Sequence, residues 1–180
     1  ESPFLKKKDI SAAVLRLDKI HSYISGNKWF KLKYYLAEAI QNNKPGIITF
    51  GGAFSNHIIA AACAAHMNSL KSIGIIRGEE PAVLSPTLMQ AKAFGMQLIF
   101  INREKYKNKD DSAFLNELQT DYENYLLIPE GGAGTPGAKG CSEIMELTDT
   151  KSYSHIICAA GTGTMFAGLL NAASPHQTVI

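Results

Sequence analysis

Two lysines, Lys28 and Lys31, lie three residues apart just after Ser25-Gly26-Asn27, where a long helix is predicted to begin. This spacing places both amines on one face of the helix. The positive end of a helix dipole disfavours an ammonium group, so the pKa of such a lysine is expected to fall. A lysine with a lowered pKa is suited to bond covalently to a carbonyl, and its neighbour could contact an anion.

A turn of small residues, Gly51-Gly52-Ala53-Phe54-Ser55-Asn56-His57, follows a short apolar run. The glycines allow the backbone to turn sharply. Ser55 and Asn56 then stand at the start of a helix, where free N–H groups and the dipole favour an anion such as a carboxylate. An ordinary strand-to-helix turn with a serine cap is the alternative, and the turn alone does not decide between them.

A second turn, Gly161-Thr162-Gly163-Thr164, also places small residues and hydroxyls before a helix, and it suits a phosphate. The turn is close to the dinucleotide fingerprint G-x-G-x-x-G, but Phe166 stands where the third glycine is expected. Because Gly161 and Gly163 match the first two glycines of this fingerprint, a dinucleotide-binding oxidoreductase stays open as an alternative.

Two other groups of residues do not form a specific motif. The stretch Gly131–Gly140 has Ala138 where a P-loop has its lysine, so it is predicted as a flexible loop around a ligand and not as a triphosphate site. His155 and Cys158 point to opposite faces of a predicted strand, and no metal site is expected.

The elements that position these residues alternate along the chain. Strands are predicted at 12–17, 46–50, 71–77, 96–101, 125–128 and 154–159, and helices at 27–42, 56–67, 86–95, 111–123, 140–147 and from Thr164. This alternation is typical of parallel sheets with helices on their faces, whose ligands bind at the carboxyl ends of the strands. The polar segment 102–111 is predicted as a solvated loop.

The composition limits the function classes. The chain has 180 residues, 46% hydrophobic and 19% charged, which is typical of a globular protein. Its net charge of +2 indicates neither nucleic acid nor a membrane surface as a partner. Three widely spaced cysteines and no visible signal peptide favour a cytoplasmic protein. Because Gln177–Ile180 looks like the start of a strand, we expect a chain truncated at its C-terminus.

The lysines and turns together predict one ligand and one substrate. The 161–164 turn requires a phosphate, Lys28 requires a carbonyl, and the 55–57 turn requires a carboxylate on a reacting partner. Pyridoxal phosphate acting on an amino acid has all three groups.

The same residues resemble motifs of the 1-aminocyclopropane-1-carboxylate deaminase and D-cysteine desulfhydrase family. The matching segments keep the family's order and cover nearly the whole chain: Gly26–Tyr34, Gly51–His57, Pro129–Gly132 and Gly161–Gly168. The resemblance implies α/β architecture of the tryptophan synthase beta-like kind (fold type II), with two open parallel-sheet domains and pyridoxal 5'-phosphate in the cleft between them. It places residues 1–34 and 126–180 in a large domain and residues 35–125 in a small one, and it implies a homodimer.

The resemblance also implies roles for individual residues. Lys28 would form the internal aldimine and then act as the base, and Ser55 would be the second catalytic residue. The implied cofactor-binding residues are Lys28, Lys31, Asn56, Gly161, Thr162, Gly163 and Thr164. The implied substrate-binding residues are Ser55, Asn56 and His57. The resulting expectation is a lyase or hydrolase that converts an amino acid of the 1-aminocyclopropane-1-carboxylate or D-cysteine type to a 2-oxo acid and ammonia.

Four positions depart from the family's motifs. Phe30 and Lys33 replace an arginine and a glutamate, Phe54 replaces a glutamine, and Met165 replaces a threonine. These departures motivate an alternative, a catalytically idle relative that binds a small phosphorylated metabolite. His57 is the variant typical of the desulfhydrase branch.

Overall fold

The computed structural model describes residues 3–180, and the side chain of Phe4 lies outside that description. Helices are α1 Pro3–Lys7, α2 Lys28–Gln41, α3 Asn56–Met67, α4 Pro86–Ala93, α5 Arg103–Lys107, α6 Ser112–Asp121, α7 Thr135–Ser142 and α8 Thr164–Ala172. Strands are β1 Gly46–Gly52, β2 Lys71–Arg77, β3 Met96–Ile101, β4 Leu126–Ile128, β5 His155–Ile156 and β6 Thr178–Val179. Short 3-10 turns lie at Leu17–Lys19, Glu130–Gly132 and Glu143–Glu146.

The first sheet has four parallel strands in the order β3-β2-β1-β4. Its register pairs Ile48 of β1 with Ile73 of β2 and with Leu127 of β4. Every connection in this sheet therefore crosses over through a helix, as the alternating sequence predicts.

Helices cover both faces of this sheet. On one face, Ile47 and Ile76 of the sheet lie in a buried cluster with Leu32, Ile58 and Leu88 from α2, α3 and α4. On the other face, residues of β1 and β2 pack with aromatic and aliphatic side chains of α5 and α6: Ile48, Phe50, Ile73, Ile75, Tyr106, Phe114 and Leu118. Burial on both faces explains why these strands are continuous apolar runs.

The second sheet is much smaller and pairs β5 with β6 in parallel. Ile156 and Val179 of this sheet pack against a cluster built from α2, α7 and α8 with the turn Glu143–Glu146, in which Phe30 and Leu169 are buried. The neighbouring Ile157 is 78% exposed. The two parallel sheets confirm the predicted α/β class.

Close contact between α2 and α7 places the lysine helix against this second layer. A Cβ on Gly140 would lie 1.9 Å from the carbonyl oxygen of Phe30, so only glycine allows this approach. Lys28 and Lys31 lie within two residues of Phe30 in α2, and α7 in turn packs against α8, so α7 holds the lysine helix close to the α8 layer.

Several predicted elements are wrong or too long. The strand predicted at 12–17 is absent, since residues 11–16 are exposed and lack a ladder partner among the described residues. The strand predicted at 154–159 pairs only at His155–Ile156.

Two predicted loops contain helices. The segment 102–111 includes α5, which Asn102 caps by accepting from the N–H of Lys105 at 2.7 Å. The stretch 131–140, predicted as a flexible loop, forms a 3-10 turn and most of α7. None of the described helices combines the length and apolar character needed to cross a membrane.

Candidate active site

Lys28 is the first residue of α2 and lies partly buried. Its Nζ donates to Asn27 Oδ1 at 3.3 Å. Burial, and secondly the charge of Lys31, lowers the pKa of Lys28 to about 8. Roughly a tenth of this amine is therefore uncharged and nucleophilic at pH 7, far more than for a lysine of ordinary pKa, and covalent chemistry with a carbonyl requires this form.

Lys31 lies one turn further along α2 and is only 3% exposed. Its Nζ donates to Thr162 Oγ1 at 3.1 Å, and Thr162 Oγ1 lies 3.0 Å from Thr164 Oγ1. Among the described residues, no carboxylate lies within ion-pair distance of Lys31. Burial also lowers the pKa of this lysine. A buried cation beside two hydroxyls and without a carboxylate is a site that suits an anion.

The turn at Gly161–Gly163 completes this anion site. Gly163, with φ +73°, immediately precedes α8. As at every helix start, the first N–H groups of α8 have no partner within the helix. A cavity of about 150 Å³ is lined by both lysines together with Gly161, Thr162 and Gly163. Because a Cβ on Gly131 would lie 2.9 Å from Thr162 Cγ2, glycine at 131 allows the 130–132 turn to support this loop from behind.

The 55–57 turn ends beside a second and larger cavity. Ser55 Oγ caps α3 by accepting from the N–H groups of His57 at 3.2 Å and Ile58 at 3.4 Å. Its hydroxyl hydrogen stays available to donate. Asn56 and Lys28 line a cavity of about 410 Å³ together with Tyr23. Lys28 thus contacts both cavities, with the hydroxyl turn on one side and Asn56 on the other.

His57 is 2% exposed and, like Ser55 but unlike Asn56, lines neither cavity. Its Nε2 lies 2.8 Å from Thr49 Oγ1, whose single hydrogen is donated to the carbonyl oxygen of Ile128 at 2.9 Å. Nε2 must therefore donate to Thr49, which leaves Nδ1 as a bare acceptor with no protein partner. Burial, and secondly the charges of Lys28 and Lys31, lowers the pKa of His57 to about 3, so the imidazole stays neutral.

The structure brings together most of the residues that the sequence predicts. Lys28, Lys31 and the 161–163 turn share one cavity, and Lys28 and Asn56 share the other. Sequence reasoning missed Tyr23 and Thr87, which line the larger cavity. A signal existed for Thr87, since Ser85-Pro86-Thr87 opens the helix that follows β2, on the ligand-binding edge of the sheet.

Comparison with known proteins identifies the family. Residues 1–179 match the family described as "Pyridoxal-phosphate dependent enzyme". A Thermotoga maritima protein with the provisional name 1-aminocyclopropane-1-carboxylate deaminase is 32% identical over 81% of this chain and 48% of its own length. The Arabidopsis thaliana protein named bifunctional D-cysteine desulfhydrase/1-aminocyclopropane-1-carboxylate deaminase, mitochondrial, is 30% identical over 81% of this chain and 41% of its own length.

A solved structure titled as an analysis of the ACC deaminase homologue superposes with a TM-score of 0.72 at 27% identity, covering 86% of this chain and 49% of that one. The chain thus spans about half the length of the relatives it matches. Among the described residues, no group of His, Cys, Asp and Glu could hold a metal ion. A lysine with a lowered pKa, a buried anion site beside it, and the match over residues 1–179 all agree: the chain belongs to the family of pyridoxal-phosphate dependent enzymes.

Proposed function

We propose that the protein is a pyridoxal-phosphate dependent lyase that acts on a small amino acid of the D-cysteine or 1-aminocyclopropane-1-carboxylate type. The observation that carries this proposal is the pair of lysines in one cavity with the Thr162 turn. With water, D-cysteine would give pyruvate, ammonia and hydrogen sulfide, and the cyclic amino acid would give 2-oxobutanoate and ammonia. Loss of hydrogen sulfide from D-cysteine is an elimination, which is the reaction of a lyase. The hydrolase class that the sequence analysis gives as the other expectation is wrong.

Lys31 and the turn at 161–164 would hold the phosphate of the cofactor. The buried ammonium of Lys31 already bonds Thr162, and the start of α8 offers further N–H donors. Such donors recognise a phosphate without any carboxylate that would repel it. When bound, the cofactor supplies an electron sink at the reacting carbon.

Lys28 would be the residue that carries the cofactor and later moves the substrate proton. Its position between the two cavities lets its amine reach the phosphate-bound cofactor from one side and an amino acid from the other. A pKa of about 8 suits both tasks, because the amine can be uncharged as a nucleophile and can take up a proton as a base.

Asn56 and Ser55 would bind the remaining polar groups. Asn56 would contact the cofactor's ring hydroxyl or the substrate carboxylate from the start of α3. The two N–H groups that donate to Ser55 Oγ polarise the hydroxyl, so its hydrogen would be a good donor to a substrate carboxylate bound at the start of α3. The buried His57 would contribute through the position of this turn and not as a direct substrate ligand.

Matched lysine variants test the proposal. After borohydride reduction and peptide mass mapping, wild-type protein is expected to carry the cofactor covalently on Lys28, and Lys28→Ala to carry none. Lys31→Ala is expected to keep the covalent attachment but to raise the dissociation constant for pyridoxal phosphate by at least about tenfold, through loss of a charge-assisted bond. Attachment at Lys31 would contradict these roles. Binding of phosphorylated ligands without any covalent link would indicate the idle relative instead.

The pH dependence of attachment gives a second test. Because the pKa of Lys28 is lowered from 10.5 to about 8, the rate of cofactor attachment should rise with pH and level off just above pH 8. A lysine with an ordinary pKa would continue to gain rate up to about pH 10.4. Stopped-flow absorbance between pH 6 and pH 10 measures this profile.

The homodimer, the cytoplasmic location and the domain division stay predictions.

A further inference from the structure

The larger cavity beside Lys28 holds more space than the cofactor's phosphate end needs. Its volume of about 410 Å³ falls within the range of roughly 300–1,000 Å³ that is typical of small-molecule sites. It shares only Asn27 and Lys28 with the smaller cavity at the Thr162 turn, so the two cavities meet at these residues. An amino acid whose amine reacts near Lys28 would therefore extend its side chain into this space.

Two separate segments contribute hydroxyl groups to the wall of this cavity. Ser22, Tyr23 and Ser25 come from the loop before α2, and Thr87 comes from the first turn of α4. With Asn27 and Asn56 beside them, hydroxyl and amide side chains make up most of the lining, and Ile59 is the aliphatic contribution. A polar lining of this kind binds a side chain that can exchange hydrogen bonds, and it is left partly unsatisfied by one that cannot.

Local contacts hold the Tyr23 wall in place. His21 Nδ1 accepts from the backbone N–H groups of Tyr23 at 3.1 Å and Ile24 at 3.0 Å. The Ile24 side chain is buried in the core cluster under α2. The Tyr23 ring meets Phe94 edge-on with 4.9 Å between ring centres, which ties the loop to the end of α4. A wall fixed at both ends discriminates between substrates better than a mobile one, because little ordering cost accompanies binding.

We infer that the hydroxyls of Tyr23 and Thr87 form the subsite for the substrate's side chain, and that this subsite selects amino acids with a hydrogen-bonding β-substituent. This inference rests on the proposed function and narrows it. A thiol or hydroxyl at the β-carbon satisfies the wall. The all-carbon ring of 1-aminocyclopropane-1-carboxylate cannot exchange hydrogen bonds with these hydroxyls, so the cyclic amino acid is the poorer ligand.

The test uses the full-length protein loaded with pyridoxal phosphate and compares Tyr23→Phe and Thr87→Val with wild type. Each variant removes one hydroxyl and keeps the shape of the wall. Tyr122→Phe is the matched control, because Tyr122 follows α6 on the other face of the four-stranded sheet. Calorimetry gives dissociation constants for both enantiomers of serine and cysteine and for 1-aminocyclopropane-1-carboxylate. Turnover of each is followed as 2-oxo acid.

Wild type is expected to bind the best β-substituted amino acid at least about tenfold more tightly than the cyclic one. Tyr23→Phe and Thr87→Val should each reduce this ratio of affinities severalfold. Tyr122→Phe should leave the ratio unchanged. Equal affinities in wild type, or a ratio that neither variant moves, would overturn the subsite. Loaded protein that turns over none of these amino acids would contradict the proposed function, and the binding ratio would still decide the subsite.

Discussion

The two sheets of this protein differ in what covers them. Helices bury both faces of the four-stranded sheet, whereas the β5–β6 pair is packed by α7 and α8 on one side while Ile157 beside it stays exposed. The lysines lie at the border, since α2 contributes Leu32 to the first core and Phe30 to the second. The helix α2 therefore positions the site by packing against both layers, and each layer makes a different contribution to the site.

The largest expected effect concerns two glycines on either side of the lysine site. A Cβ on Gly140 would overlap the Phe30 carbonyl, while a Cβ on Gly161 would meet nothing within 4 Å. Gly140→Ala should therefore cost more than about 4 kcal/mol of unfolding free energy or prevent folding, because backbone cannot yield as a side chain can. Gly161→Ala should change stability by less than about 0.5 kcal/mol. Urea unfolding followed by circular dichroism measures both, and equal losses would refute the close α2–α7 contact.

The second effect contrasts isoleucines in the covered and open layers. Ile48 is fully buried in the four-stranded sheet, and Ile157 is 78% exposed. Ile48→Ala should cost about 2–5 kcal/mol through lost burial and a residual cavity, and Ile157→Ala less than about 0.5 kcal/mol. Thermal and urea unfolding of the two variants make the comparison. A large loss at Ile157 would show that another surface covers this layer in the whole protein.

The same contrast explains how much of the fold could be predicted. The strands at 71–77 and 96–101 were predicted with the bounds that the structure has, because helices on both faces demand continuous apolar runs. Residues 12–17 are apolar too, yet a strand needs a ladder partner, which a local pattern cannot reveal. The prediction of a flexible loop at 131–140 is wrong, because the glycines there allow close packing and do not provide flexibility. A Cβ on Gly137, for example, would lie 2.0 Å from the carbonyl oxygen of Gly132.

The site shows the same division between local and tertiary information. Lys28, Lys31 and the two glycine turns were predictable, because each sits at a helix start where the chemistry is encoded in neighbouring residues. Tyr23 and the Thr49–His57 bond were not, because they depend on which elements the fold brings together. His57 was expected to bind substrate from its place in the motif, but its position in α3 directs it to a buried partner.

The third effect concerns Thr49, the buried hydrogen-bond partner of His57. Thr49 is fully buried and links His57 of α3 to the Ile128 carbonyl of β4. Thr49→Val keeps the shape but leaves both partners unsatisfied, so it should cost about 1–3 kcal/mol. Thr49→Ser keeps the hydroxyl and should cost less. The two variants are compared by urea unfolding and by the dissociation constant for pyridoxal phosphate. A loss in Thr49→Ser as large as that in Thr49→Val would show that the hydroxyl contributes no more than the methyl group, which would contradict the role of the hydrogen bonds.

The smallest effect lies on the surface, at a position that departs from the family motif. Lys33 stands where a glutamate is usual, and its Nζ lies 2.5 Å from Oε2 of Glu143, whose Oε1 accepts from the Tyr34 hydroxyl. Burial works to raise the pKa of Glu143, but the hydrogen bonds from Lys33 and Tyr34 outweigh it and lower the pKa overall. The charge reversal at 33 is therefore matched by an acidic partner on the second layer.

A lowered pKa fixes the direction of the acid dependence. The contribution of Glu143 to stability is fully present above its unfolded pKa of about 4.5 and is lost as the pH falls through the lower folded value. Lys33→Met should cost only about 0.5 kcal/mol at pH 7, because Lys33 is half exposed and water screens the pair. The difference between Lys33→Met and wild type should shrink as the pH falls below about 4.5 and Glu143 is protonated. Urea unfolding at pH 7 and pH 3.5 measures it, and a difference that grows in acid would contradict the pairing.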